Sequence, residues 1–188
     1  MKKRLFLLFA LFAAAAGLLA GCGSAQIEDY ISDRYSLIDV VRSQDAGIED
    51  SYVYLAEDQQ VKEVADELIQ VQKPDETGKY VSGKQVLIYD DQFVILTEAP
   101  DQPDQTLIEV SDQEFVRSYY HPGFFQGMLL GHMLSNMFGG GWDRYQRGRC
   151  GSAYNNDCYG GYGSTGRWNS GAGGRGSTFR GGGPGTGK

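Results

Sequence analysis

Two histidines, three cysteines and 24 carboxylates are the residues of this chain whose types could do chemistry. His121 precedes Pro122, which sets a bend in the chain, and His132 has Met133 and Leu134 for neighbours. A metal site needs three or four ligands brought together, and neither histidine has another ligand beside it in sequence. The carboxylates include the pairs Asp90-Asp91 and Asp101/Asp104. They lack the spacing of a calcium loop, and an acidic solvated surface accounts for most of them, with weak divalent-cation binding as the alternative. No Gly-x-Ser-x-Gly elbow occurs. The terminal Gly-Gly-Gly-Pro-Gly-Thr-Gly-Lys has the composition of a phosphate loop, but no strand precedes it and no helix follows. These residues assign no catalytic group, cofactor or metal, and the chain is expected not to be an enzyme.

Cys22 carries a different chemistry. Lys2, Lys3 and Arg4 form a basic start, followed by the apolar run from Leu5 to Ala20. That run is short for a membrane span of ~20 residues and ends in small side chains, as a signal peptide does. Its end, Leu19-Ala20-Gly21-Cys22, resembles the lipobox of bacterial lipoproteins. The resemblance implies removal of residues 1–21, diacylglycerylation of the Cys22 thiol and palmitate-type anchoring at the extracytoplasmic face of the cell membrane. Each buried CH₂ of an acyl chain adds ~0.8 kcal/mol, so two or three chains hold the protein without a span. With Cys22 used for lipid, Cys150 and Cys158 remain. In an oxidising compartment they are expected to form a disulfide closing a small loop, since two cysteines without nearby histidines make a poor zinc site.

The elements that would position any site come from an abrupt change near residue 118. Residues 22–118 hold 22 acidic and 7 basic residues; residues 119–188 hold 2 acidic and 7 basic, with 21 of the 27 glycines. The natural division is an acidic domain (22–118), a glycine-spaced apolar segment (119–143) and a Gly/Arg/Tyr-rich tail (144–188). The tail lacks the periodic apolar residues that offset ordering entropy, so it reads as disordered outside the disulfide loop.

Within the acidic domain, Ile27, Tyr30 and Ile31 give helical spacing over Gln26 to Arg34. Ser36–Arg42 and Ser51–Ala56 read as strands. Asp58 is placed to cap a one-sided helix from Gln59 to Gln72. Gln85–Tyr89 and Phe93–Thr97 read as a hairpin, Thr106–Val110 as a strand, and Ser111 to Glu114 as a capping box opening a last helix. The predicted order is α-β-β-α-β-β-β-α: an α+β fold with a small, mainly antiparallel sheet and two or three helices.

In the segment His121 to Trp142, Gly123, Gly127 and Gly131 share one arc of a helical wheel, continued by Leu134 and Phe138. Glycine costs ~1 kcal/mol in a helix interior, so the pattern makes sense where another backbone approaches closely. Tyr119, Tyr120 and Trp142 flank the run, with Arg144, Arg147 and Arg149 beyond, as at a lipid interface. Fifteen residues from Phe124 to Phe138 span ~22 Å as helix, against ~30 Å of hydrocarbon. Two readings stand: self-association or membrane contact through this stripe, or a segment that covers the acidic domain or leads into the tail.

The whole chain is similar to an uncharacterised family of Gram-positive envelope lipoproteins. The likeness rests on the lipobox, the segment Tyr35-Ser-Leu-Ile-Asp-Val-Val41, the glycine-spaced run and the glycine-rich end. It implies a location and an architecture, and no catalytic residue. The expected function is a non-catalytic, membrane-anchored binding or scaffold module; the alternative is a glycine-zipper assembly that associates with membrane or forms a channel. Expected partners are the membrane through the N-terminal lipid, envelope proteins or anionic wall polymers, and other copies of the chain, but not nucleic acid.

Overall fold

The computed structural model describes residues 23–100, 102–150, 158–162 and 177–178. The leader, Cys22 and most of the expected tail lie outside the described residues. Helix α1 (Gly23–Arg34) leads into strands β1 (Ser36–Arg42) and β2 (Ser51–Ala56). Helix α2 (Val61–Val71) is followed by β3 (Glu76–Thr77), β4 (Lys84–Tyr89), β5 (Gln92–Ala99) and β6 (Gln102–Asp112). Then come α3 (Gln113–Tyr119), a 3-10 turn (Pro122–Phe125), α4 (Gly131–Phe138), α5 (Trp142–Cys150) and β7 (Ser177–Thr178). The fold is α+β, around six antiparallel strands in the order β3-β4-β5-β6-β2-β1, with β7 added in parallel beside Val41 and Arg42.

Alternation along the central strands sends side chains to two cores. Val86, Ile88, Phe93 and Ile95 face one side, and Leu87, Tyr89, Val94 and Leu96 the other. Both faces are covered, which is why these strands read as nearly unbroken apolar runs. Ile27 and Ile31 of α1, with Val61, Val64, Ala65 and Leu68 of α2, close the second side. A Glu67 carboxylate joins those helices by accepting from Tyr30, Tyr35 and Gln59 at 2.8–3.1 Å.

On the other side lies the glycine-spaced segment, packed as the second of its two readings has it, as cover for the acidic domain. Phe115, Tyr120, Phe124, Phe125, Met128, Leu129, Leu134, Phe138 and Trp142 are buried there in one cluster with the sheet. The glycine-spaced segment is therefore part of the acidic domain's core. It does not form a single helix: Pro122 starts a 3-10 turn, Gly127 turns the chain at a φ of +83°, and α4 begins only at Gly131. Three glycines and a proline cost too much helix propensity for the run to continue, and burial of the aromatic residues between them favours the broken path. Two caps also differ from expectation. Asp58 sits in a turn at a φ of +55°, and Gln60 caps α2, its N–H bonded to the Glu63 carboxylate at 2.9 Å. Asp112, not Ser111, caps α3, accepting from the Phe115 N–H at 2.6 Å.

Candidate functional site

The feature that stands out chemically is a pair of carboxylates under the surface of the sheet. Asp39 of β1 pairs with Val53 of β2, which pairs with Glu109 of β6, so the three lie in one row across adjacent strands. A bulge in β1 between Leu37 and Asp39 sets that register and puts Asp39, rather than Ile38, opposite Val53. Glu109 is 2 % exposed and Asp39 8 %. Two strand spacings separate their backbones, roughly 10 Å.

Each carboxylate is partnered. Glu109 accepts from the Ser51 hydroxyl at 2.9 Å, and Ser51 in turn lies 2.7 Å from the Ser111 hydroxyl. The backbone N–H of Tyr162 donates to the other Glu109 oxygen at 3.2 Å, and the Tyr162 hydroxyl donates to Asp39 at 2.8 Å. One tyrosine thus bridges both acids. Burial pushes the Glu109 carboxyl above its usual range, while hydrogen bonds from Tyr120, Ser51, the Tyr162 backbone and Tyr159 pull the other way. Tyr120 and Tyr159 are raised well above a normal phenol, by burial first and then by the charge of Glu109. A carboxyl facing two phenols and a serine can hold or exchange a proton, but here its partners belong to the chain itself.

Residues 158–162 act as a strap over this row. The Tyr159 N–H donates to the Tyr119 carbonyl at 2.8 Å, and the His121 N–H to the Tyr159 carbonyl at 3.2 Å. The Tyr159 ring packs edge-on against Tyr120 with centroids 5.0 Å apart. Gly161 has a φ of +85°, and a Cβ there would meet Phe124 at 2.6 Å, so the strap can lie this close only with glycine at that position. A disulfide between Cys150 and Cys158, with Cα atoms 5.2 Å apart, fastens the strap to the end of α5. Helix α5 is itself fixed by the carbonyls left open at the end of α3. Trp142 Nε1 and Gln146 Nε2 each donate to the Arg117 carbonyl at 2.8 Å, and Arg149 donates to that of Ser118. Residues 144–149 of α5 and 159–162 of the strap thus lie within the stretch expected to be disordered. The buried donors of Trp142 and Gln146, and the tyrosines of the strap, supply the ordering contacts that composition alone did not reveal.

The sequence-derived sites fall out as follows. Cys22 lies outside the described residues, and Cys150 and Cys158 are paired as expected. Gly123 is in the 3-10 turn, while Gly127 and Gly131 are exposed, with no foreign backbone within 4 Å of a Cβ built on either. Leu134 and Phe138 are buried, Phe138 stacked on Phe93 at 5.9 Å. The five residues do not share a helical stripe, and the last two are spent on the core. His121 accepts from the Gly123 N–H through Nδ1 at 2.9 Å, and burial, then Arg147, lowers its pKa, so it caps a turn as neutral imidazole. His132 is exposed on α4. No group of three or more potential metal ligands occurs among the described residues. Asp39 and Glu109 were missed, although a signal existed: each interrupts a strongly apolar strand, Ser-Leu-Ile-Asp-Val-Val and Thr-Leu-Ile-Glu-Val. A carboxylate on the buried phase of such an alternation must be paired inside.

The sequence profile of one protein family, described as a domain of unknown function (DUF4247), matches residues 16–188. No curated protein and no solved structure matches the chain.

Proposed function

The chain belongs to the DUF4247 family, and from its leader and fold we propose that it is a non-catalytic, membrane-anchored envelope lipoprotein serving as a binding or scaffold module. The observation that carries this reading is the start of α1. The helix begins at Gly23, the residue after the lipobox cysteine, and by Ile27 it is packed into the core. An acyl chain on Cys22 would hold a folded domain at the bilayer with almost no linker, so one end of the sheet stays close to the membrane.

That end is acidic. Burial raises the Glu28 carboxyl, and Glu49, Asp29 and Asp91 raise it further by repulsion. Asp112, raised first by burial, also feels Glu49, Glu114 and Asp91. Crowded carboxylates of this kind favour an approaching cation. A groove of about 200 Å³ between α1 and β2, lined by Glu28, Asp29, Ser32, Tyr52, Tyr54 and Val110, offers aromatic faces beside them. Basic segments of other envelope proteins suit that surface.

The anchor is tested by replacing the thiol. Cys22→Ser should abolish palmitate labelling and leave the protein either released or stalled as its precursor. Acyl labelling that persists in this variant would overturn the lipoprotein reading.

A further inference from the structure

We propose that residues 158–162 are a redox-controlled strap: reduction of Cys150–Cys158 lets this segment leave the sheet and uncovers the Asp39/Glu109 row, while the rest of the fold stays intact. The inference concerns the fold itself and stands whether or not Cys22 carries lipid.

Three observations carry it. First, the strap is not laid over a finished apolar surface. It fills a place of mixed floor: Tyr159 packs on Phe115 and Tyr120 in the apolar cluster, while Glu109, Ser51, Ser111 and Asp39 lie beneath the backbone and hydroxyl of Tyr162. Once the strap departs, those groups can take up water, so its removal need not expose a purely apolar scar. Second, the strap is held at its start by the disulfide and along its length by separable contacts: Tyr159 with Tyr119, His121, Tyr120 and Phe115, and Tyr162 with both carboxylates. Third, the two central strands and the α1–α2 side draw on other residues. Leu87, Val94, Leu96 and the helix residues Val64 and Leu68 form the opposite core, with no member from the strap.

The disulfide works mainly on the undocked state. Cys150 and Cys158 are 8 residues apart, and keeping so small a loop closed deprives the released strap of freedom. Opening the loop should raise the released population roughly a hundredfold on the chain-entropy argument. The chemistry requires a dithiol reductant. One of its thiolates attacks a cysteine sulfur, the S–S bond breaks and a mixed disulfide forms. The second thiol then displaces the protein thiolate, leaving two protein thiols after protonation and a cyclic oxidised dithiol. Two electrons pass from the dithiol to the protein.

The test is amide hydrogen exchange on the full mature protein, oxidised and in the presence of dithiothreitol. Residue-resolved protection of Tyr159 and Tyr162 should fall by about a hundredfold on reduction, while Leu87 and Val94 stay unchanged. A Cys150→Ser/Cys158→Ser protein should match the reduced state without reductant. Unchanged protection at Tyr159 and Tyr162 would overturn the proposal, because the strap would then be held without its bond. Equal loss at Leu87 and Val94 would also overturn it, because the strap and the sheet would then open as one unit.

Discussion

Glu109 shows how one residue sets a measurable property. Its carboxyl is raised by burial against the partial compensation of Tyr120, Ser51, Tyr162 and Tyr159. A carboxyl raised in the folded state holds its proton more tightly there than in the unfolded chain, where its pKa is ~4.3. Its contribution to stability is therefore complete below that unfolded value and is lost as pH rises through the folded one. Glu67 acts in the opposite sense. Burial pushes it up, but Gln59, Tyr30, Tyr35 and Arg34 together hold it below its usual value, so its contribution is present above ~4.3 and lost as pH falls through the folded value. The two windows lie on opposite sides of the ordinary carboxylate range. Thermal unfolding followed from pH 5 upward should show stability declining toward neutrality in the wild type. In Glu109→Gln that decline should be shallower, leaving only the share of Glu28 and Asp112, which burial also raises. The same decline in both proteins would show that the buried carboxyl is not its source.

At the scale of elements, the order from α1 through α3 was legible because each segment pairs a clear period with a clear stop. The Asp90-Asp91 hairpin and the one-sided pattern of α2 are examples, and both form where the residues predict them. The two-residue β3 and the returning β7 were not legible, since strands this short carry no period. Residues 119–150 misled for a physical reason. A glycine every fourth position imitates a helical stripe, while the deciding forces are aromatic burial and the capping of another element's carbonyls. Tyr119 is a second case of bonding at a distance that no local pattern shows: its hydroxyl accepts from the Gln44 and Asp45 N–H groups and donates to the Asp45 carboxylate, bonds that span more than seventy residues. Helix α5 can be tested alone. Gln146 is 1 % exposed and its Nε2 serves the carbonyls of Arg117, Ser118 and Tyr120. Gln146→Ala should cost about 2–3 kcal/mol in urea unfolding, as buried acceptors lose their donor. The neighbouring exposed Arg144→Ala should stay within about 0.5 kcal/mol. Equal, small effects would mean that α5 is not fixed by these bonds.

For the whole molecule, charge and glycine suggest a boundary at residue 118 that packing does not respect. The acidic half supplies a sheet with two apolar faces, α1 and α2 to cover one of them, and only the short α3 on the other. The glycine-rich half supplies the cover for the other, from Tyr120 to Trp142, and the strap that closes over Asp39 and Glu109. No helix among the described residues is long and apolar enough to cross a membrane, and residues 124–138 are occupied in packing on the sheet. The proposed envelope location therefore rests on Cys22 alone. Urea unfolding of a 23–118 fragment against the 23–188 chain tests this single-fold account most directly. Without its cover, the fragment leaves Val41, Val53, Val86, Ile88, Phe93 and Ile95 facing water. It should show no cooperative transition and should bind a hydrophobic dye, whereas the 23–188 chain unfolds in one step. A fragment that unfolds cooperatively with the same midpoint as the longer chain would contradict the account, and residues 119–162 would then be an appendage to a domain complete without them.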